Sequence, residues 1–345
     1  MSHWMSFLID ALALSATFIY GATGEIITEK AGHLNLGIPG IMCMGAAGGC
    51  LSLCLAVGWS FPPYLMVSFV IFGAFLTGWL MGLFYSFFAV TLRANQNVTG
   101  LTMTIFGVSF MKVIMRDMVK TTKAVQALAL QMTGGIVKKK MPLEDAYSAI
   151  LRNNEFHFRF PFAGRSDALN KIGVMFFLAI VIAVLASLIL TRTRVGLSLR
   201  SVGENPATAD AAGVNVIRYK YLATCIGSGI AGMGGLYYII DYMTGSSQAY
   251  NTVESLGWLS VALVIFVLWK PWMTIPSGFV FSVLFLFNMH TSLVFSGRAH
   301  LAYNDIFKML PYVFTIVVLI ISSIRNKREN QPPASLGLSY FREER

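Results

Sequence analysis

The stretch Arg200-Ser-Val-Gly-Glu-Asn-Pro-Ala-Thr-Ala-Asp-Ala-Ala-Gly213 is a short polar island between long apolar runs. Asn205 is a favoured N-cap. Pro206 suits the first helical position because its missing N–H would be unpaired there, and Gly213 can take the left-handed C-terminal position. The spacing predicts a helix over 206–212 of about two turns, roughly 10 Å long. So short a helix is marginal alone in water, and its residues are almost all small, so it is expected to rest in a groove on something larger. An ordinary capped loop helix would carry the same signals. Arg192, Arg194 and Arg200 precede the short helix and Arg218 and Lys220 follow it, which marks a cytoplasmic loop.

Composition bounds the class around this island. The chain has 345 residues, 56% hydrophobic and 12% charged, with a mean hydropathy of +0.65, well outside the range of soluble globular domains. An all-α, polytopic integral membrane protein is the expected fold class. The net charge of +10 comes from Lys and Arg between apolar runs and at the C-terminus rather than on one amphipathic face. Contact with anionic membrane lipid explains that distribution, and no nucleic-acid partner is expected. Cys43, Cys50, Cys54 and Cys225 all fall in apolar stretches and read as buried small hydrophobes. The first 16 residues lack a basic lead and a cleavage site, so they read as the start of a first membrane helix rather than a signal peptide.

Runs of about 20 mainly apolar residues mark about nine spans, near 5–24, 38–58, 64–91, 97–118, 171–190, 216–240, 254–270, 273–293 and 305–324. Odd parity puts the two ends on opposite sides. Arg325, Lys327 and Arg328 follow the last span directly, which places the tail 326–345 in the cytoplasm and the island on the same side. Residues 1–325 then form the membrane domain. Parity sends the segment 120–170 outward, although its lysines and arginines, among them Lys138, Lys139 and Lys140, oppose the positive-inside tendency. This irregular segment reads either as an extracytoplasmic insertion that meets a partner or as a lipid-surface hairpin with Phe156, Phe158 and Phe160 in the interface.

Four further stretches carry polar or small residues where pure hydrophobes would suffice. In Glu25-Ile-Ile-Thr-Glu-Lys-Ala-Gly-His-Leu-Asn-Leu-Gly-Ile-Pro-Gly40, two glycine steps, an Asn and a Pro argue against one continuous helix. Such irregular backbone at membrane depth survives only against protein or a water-filled path. Leu92-Arg-Ala-Asn-Gln-Asn-Val-Thr-Gly-Leu101 opens a helix, with Asn95, Gln96 and Asn97 before Val98 and Thr99 and Thr102 after it. These groups suit an oxygen-rich solute, and a capping role for each amide stands equally open. Glycines 227, 229, 232, 234 and 235 crowd one helix and predict a packing core or a seam between subunits. Trp269-Lys-Pro-Trp272 has the composition of a water–lipid boundary. Asp241, Asn288 and His290 are polar groups in spans; Asp241 and His290 lie near expected helix ends, where snorkelling to the interface is cheap. Neither a Walker A step nor a hydrolase or zinc-ligand motif occurs, so ATP chemistry and intramembrane catalysis are not expected of this chain.

The island together with Tyr221-Leu-Ala-Thr-Cys-Ile-Gly-Ser-Gly-Ile-Ala-Gly-Met-Gly-Gly235 resembles the coupling region of permease subunits of ABC importers, in the branched-chain amino acid, ribose and nucleoside group, and is most similar to the nucleoside-type permeases. Glu29, Lys30, Gly32, Asn35, Leu36 and Gly37 match that family's lead into the helix near the pathway, while Pro39 stands where nucleoside-type permeases usually carry Glu. Leu92 to Gly100 is similar to the family's Leu-Arg-Ala-(Asn/Asp)-Gln-x-x-(Ser/Thr)-Gly, with Asn97 in place of an aliphatic residue. Gly257 to Trp272 resembles the Gly-Phe-Ile-Ala-Leu-Ala-Ala…Trp-x-Pro helix-turn, with Val267 and Leu268 replacing a usual Gly-Lys.

The resemblance covers most of residues 10–325. It implies a non-ATPase permease in which Gly203, Glu204, Asn205, Pro206, Ala209, Asp210 and Gly213 couple to an ATPase. Asn35, Asn95, Gln96, Asn97, Thr99 and Thr102 are candidates for the pathway. The implied partners are ABC ATPase subunits that carry ATP and Mg, a second permease subunit and an extracytoplasmic substrate-binding protein. No cofactor is expected on this chain. The implied location is the inner (cytoplasmic) membrane. A nucleoside or related heterocyclic metabolite is the expected solute, with branched-chain amino acids or a sugar as alternatives. A self-sufficient secondary transporter or a channel is the rival class, and the scarcity of paired intramembrane charges counts against the former.

Overall fold

The computed structural model describes residues 3–59, 61, 63–115, 172–243, 250–289, 309–325 and 331–341. The basic segment 120–170 and His290 lie outside the described residues. Among those described, regular structure is all helical: α1 (His3–Lys30), α2 (Ile38–Gly58), α3 (Pro63–Ser86), α4 (Gln96–Val113), α5 (Val174–Arg192), α6 (Arg194–Glu204), α7 (Pro206–Ala211), α8 (Val216–Tyr237), α9 (Tyr250–Phe266), α10 (Thr274–Met289) and α11 (Leu310–Arg325). A π turn at Phe87–Thr91 prolongs α3 and another at Tyr238–Tyr242 prolongs α8.

Four of the helical stretches are long and apolar enough to cross a membrane: Trp4–Lys30, Leu65–Thr91, Val174–Arg192 and Val216–Tyr242. Shorter apolar helices occupy Ile38–Leu53, Asn251–Phe266 and Pro271–Phe287. Burial sorts the long ones. In α8 the most apolar window is 94% buried, against 33% in α3 and in α5. Helix α8 is therefore the axis of the bundle, while α3 and α5 show apolar faces outward, as with Phe72, Leu76, Leu80 and Phe84 along α3. A face of that kind demands lipid or protein cover.

The glycines explain how α8 reaches the centre. A Cβ on Gly227 would lie 2.3 Å from the carbonyl oxygen of Gly24 in α1, and a Cβ on Gly235 would lie 2.0 Å from that of Met42 in α2. Backbones this close leave no room for any side chain. Of the two sequence expectations for this helix, the packing core within the chain is what is seen. Polar ties add to it: the Tyr237 hydroxyl of α8 donates to Ala13 O of α1, and the Tyr20 hydroxyl binds α1 in turn to α5 through Met175 O, each at 2.7 Å.

Three expectations need correction. Helix α1 runs six residues beyond the expected span and stops at Lys30, so the irregular backbone is confined to 31–37, where Gly32 (φ +85°) turns the chain. Asp241 does not snorkel outward; it is buried in the π turn against Gly173 at the start of α5. Trp269 is not a boundary anchor, for its buried indole donates to the Glu29 carboxylate, whereas Trp272 is 53% exposed.

Overpacking costs about 1–3 kcal/mol per site and more where backbone is the obstacle. We expect Gly235→Leu to abolish the monodisperse peak of the detergent-solubilised chain in size-exclusion chromatography. Phe72→Leu, on the exposed side of α3, should leave that peak unchanged.

Candidate functional site

The polar island folds as two helices rather than one. Thr193 ends α5 and caps α6, accepting from Gly196 N at 3.1 Å. Gly196, Leu199, Val202 and Gly203 form the buried side of α6. This amphipathic helix replaces the expected loop before residue 206, and Thr193 and the spacing of Leu199 and Val202 announce it. Asn205 then closes α6 and opens α7: its side chain accepts from Thr208 N at 3.1 Å, with Pro206 in the first turn. Gly213 (φ +85°) ends α7, where Val214 N reaches back to Ala209 O at 3.0 Å. Asn215 caps α8 through Arg218 N at 3.0 Å. Four residues between α7 and α8 thus fix the short helix to the central one.

Only Ala209 of α7 is buried, in a small cluster with Val202 and Val216 that Val214, Tyr219 and Tyr340 cover. Glu204, Asn205, Ala207, Thr208, Ala211, Ala212 and Gly213 are exposed. The outward surface of α7 is consequently small and almost uncharged, with Asp210 at its flank.

Gly203 seats this hairpin on the membrane helices. A Cβ there would lie 2.2 Å from Lys30 O, at the end of α1, so α6 and the 31–37 segment meet backbone to backbone. The irregular segment itself is satisfied by four helices. Asn35 N donates to Glu25 Oε1 (3.2 Å) in α1, and the Tyr85 hydroxyl in α3 donates to Leu34 O (2.8 Å). In α4, Gln96 Oε1 accepts from Leu34 N (2.9 Å) and Thr104 donates to Leu36 O (2.9 Å). His33 Nδ1 pairs with the Thr224 hydroxyl of α8 at 2.8 Å. Non-helical backbone in an apolar setting requires such pairing. Asn35 Nδ2 and His33 Nε2 are left buried without a hydrogen-bond partner.

Among the described residues, none of the six pathway candidates lines either of the two cavities beside the hairpin. Asn95 is the α4 cap, accepting from Asn97 N (3.0 Å) and Val98 N (3.1 Å). Thr99 and Thr102 donate to carbonyls one turn back, Asn95 O and Val98 O, at 2.9 Å each. Gln96 is buried and bonded within the chain, Asn35 is buried in the 31–37 segment, and Asn97 and Thr102 lie on the exposed face of α4. The two cavities beside the hairpin have mixed linings. One, of about 320 Å³, is lined by Arg93, Asp210, Lys220 and Tyr340 among others; the second, of about 460 Å³, includes Lys30, Arg200, Glu204, Lys270 and Gln331.

Pro39, the departure from the nucleoside-type pattern, packs on Gly257 of α9, where a Cβ would lie 2.4 Å from Pro39 Cα. A further departure, at Val267-Leu268, coincides with a left-handed turn at Leu268 (φ +53°) and Trp269 (φ +57°). For non-glycine residues that conformation costs about 1–2 kcal/mol each, and here the Trp269–Glu29 hydrogen bond holds it.

Asn205→Ala is expected to weaken the α6–α7 junction by about 1 kcal/mol. The check is faster amide hydrogen exchange in residues 207–211 with α8 unaffected. Leu268→Gly should raise the melting temperature of the purified chain, since relief of about 1 kcal/mol at a positive-φ site exceeds the entropy glycine adds to the unfolded state.

Comparison with known proteins gives a consistent picture over nearly the whole length. The family model described as branched-chain amino acid transport system / permease component matches residues 7–319. The nucleoside ABC transporter permease protein NupC of Lactococcus lactis is 31% identical, over 90% of each chain. The guanosine ABC transporter permease protein NupQ of Bacillus subtilis is 28% identical, over 91% of each. A Haloferax volcanii ABC transporter permease whose name assigns it to glucose is 27% identical, over 97% of this chain and 98% of its own.

Proposed function

The chain belongs to the branched-chain amino acid transport permease family, and from that membership we propose that it carries a nucleoside or related heterocyclic metabolite through the inner (cytoplasmic) membrane as one of two permease subunits of an ATP-driven importer. It is a permease subunit of an ABC transporter and a multi-pass membrane protein. ATP and Mg would reside on partner ATPase subunits. A substrate-binding protein would deliver the solute from the outer side, and the chain would cross the membrane about nine times.

The observation that carries the solute assignment is the similarity, over 90% or more of this chain, to relatives named for nucleosides and for guanosine. The relative named for glucose supports a sugar as the second reading. Pairing with a different permease, rather than with a second copy, is favoured by similarity to both NupC and NupB, two nucleoside permeases of Lactococcus lactis.

For coupling we assign Gly203, Glu204, Asn205, Pro206, Ala209, Asp210 and Gly213. Three features support this: α7 presents a small, exposed surface, both its ends are capped, and the hairpin abuts the end of α1 through Gly203. A push on α7 would reach α8 across Gly213 to Asn215 and reach α1 through Lys30. Among the pathway candidates Asn35, Asn95, Gln96, Asn97, Thr99 and Thr102, the exposed groups of α4 are those available to a solute at a surface shared with the second permease. Asn35, with its unpaired Nδ2, is the buried member of the set.

The test is ATP-dependent uptake by the assembled transporter in proteoliposomes, with adenosine, guanosine and glucose offered in parallel. Saturable nucleoside uptake unaffected by excess glucose is the expected result; glucose uptake alone would replace the nucleoside assignment. Pro206→Asp with Ala209→Asp places two charges on and under the docking surface, each on the order of 3 kcal/mol unfavourable if left buried and unpaired. Uptake by that variant should fall at least about tenfold while membrane insertion is retained. Undiminished uptake would contradict the coupling role.

A further inference from the structure

Beyond the nine apolar runs the chain returns to the hairpin. Residues 331–341 lie outside the stretch that the family model matches, which ends at residue 319, and they pack against the body of the protein rather than leaving it as a loose tail. Ser335 N donates to Gly203 O at 3.0 Å, and the Ser335 hydroxyl donates to the same oxygen. Two residues on, Gly337 N donates to Gly32 O at 3.2 Å. Gln96 Nε2 in the first turn of α4 donates to Leu338 O at 3.4 Å. The Tyr340 hydroxyl donates to Asp210 Oδ2 of α7 at 2.9 Å, while its ring packs on the Val202–Ala209–Val216 cluster. Finally the Arg93 guanidinium lies 4.7 Å from the centre of the Phe341 ring.

Eleven residues thus touch four separate parts of one face: the end of α6, the bend after α1, the start of α4 and the flank of α7. The need for such a strap follows from the size of α7. A helix of six residues with one buried side chain has little to hold its orientation. Its N-terminal junction is fixed by Asn205 and its C-terminal turn by Gly213, and among the described residues rotation about the axis joining them is opposed by Ala209 and by the groups that hold Asp210.

We infer that the C-terminal segment 331–341 is a positioning strap for the docking helix, with Tyr340 as the positioning residue acting through Asp210. The inference rests on the coupling role given to α7 above and adds to it a second mechanical link. Because the strap also holds Gly32 and Gln96, movement of α7 is passed to the bend after α1 and to α4 without going through α8. Tyr340 touches no solute and no nucleotide; it sets the angle at which α7 is presented.

The experiment uses the full transporter, the chain assembled with its partner subunits in proteoliposomes, and reads solute moved per ATP hydrolysed, normalised to assembled complex. A merely structural loss would lower the amount of complex and leave that ratio unchanged. Tyr340→Phe keeps the ring and removes the hydroxyl; it should lower the ratio about threefold or more, the scale of one lost hydrogen bond. In an Asp210→Ala background the same substitution should have no further effect, because its partner is already gone. A chain ending at Asn330 should lose more of the ratio than Tyr340→Phe does. A wild-type ratio in both Tyr340→Phe and the shortened chain overturns the strap while leaving ATP-driven transport by the unaltered chain in place. Absence of ATP-dependent uptake by the unaltered chain overturns the coupling reading and the strap with it.

Discussion

Everything in this molecule depends on how closely other backbones approach α8. In lipid the hydrophobic effect does not draw apolar helices together, since the tails are as apolar as leucine; close packing and interhelical hydrogen bonds must do so. Gly227 against Gly24 and Gly235 against Met42 supply that packing; the Tyr237 hydroxyl adds a bond across the α8–α1 seam, and the Tyr20 hydroxyl ties α1 to α5. With α8 fixed at the centre, the hairpin that runs directly into it through Asn215 has a rigid base. A docking helix built on a mobile base could transmit little.

The second constraint is the bend at 31–37. Its peptide groups lie among apolar helices, where each unpaired one costs several kcal/mol. Side chains from α1, α3, α4 and α8 converge on it, so the bend is a junction at which four helices are tied. Gly203 of the hairpin and Gly337 of the C-terminal segment both reach this junction. The hairpin and the irregular segment are therefore one continuous structure, the geometry that the proposed coupling requires.

What the sequence disclosed and what it hid divide along range. Asn205, Pro206 and Gly213 act on neighbours within four residues, so the helix they bound was legible. Apolar runs of about 20 residues were equally plain, as were the glycines of α8, whose crowding admits few readings. Helix α6 is legible in its Thr193 cap and in Leu199 and Val202, but its arginines have the composition of a loop. The contact of Trp269 with Glu29 joins residues 240 positions apart, and that of Tyr340 with Asp210 joins residues 130 apart. No periodicity or spacing foretells either. The amides of the Leu92–Leu101 stretch show the limit from another side: Asn95 proves to be a cap and Gln96 a brace, and composition alone could not separate those roles from solute contact.

The central claim is that α7 is a surface built for another protein. Its most direct test is affinity purification of the tagged full chain from mild detergent extracts of its own cells, with mass spectrometry of what accompanies it. The account predicts an ABC ATPase and a second permease in stoichiometric amounts. A folded, monodisperse chain recovered repeatedly without an ATPase would contradict it and favour a self-sufficient transporter.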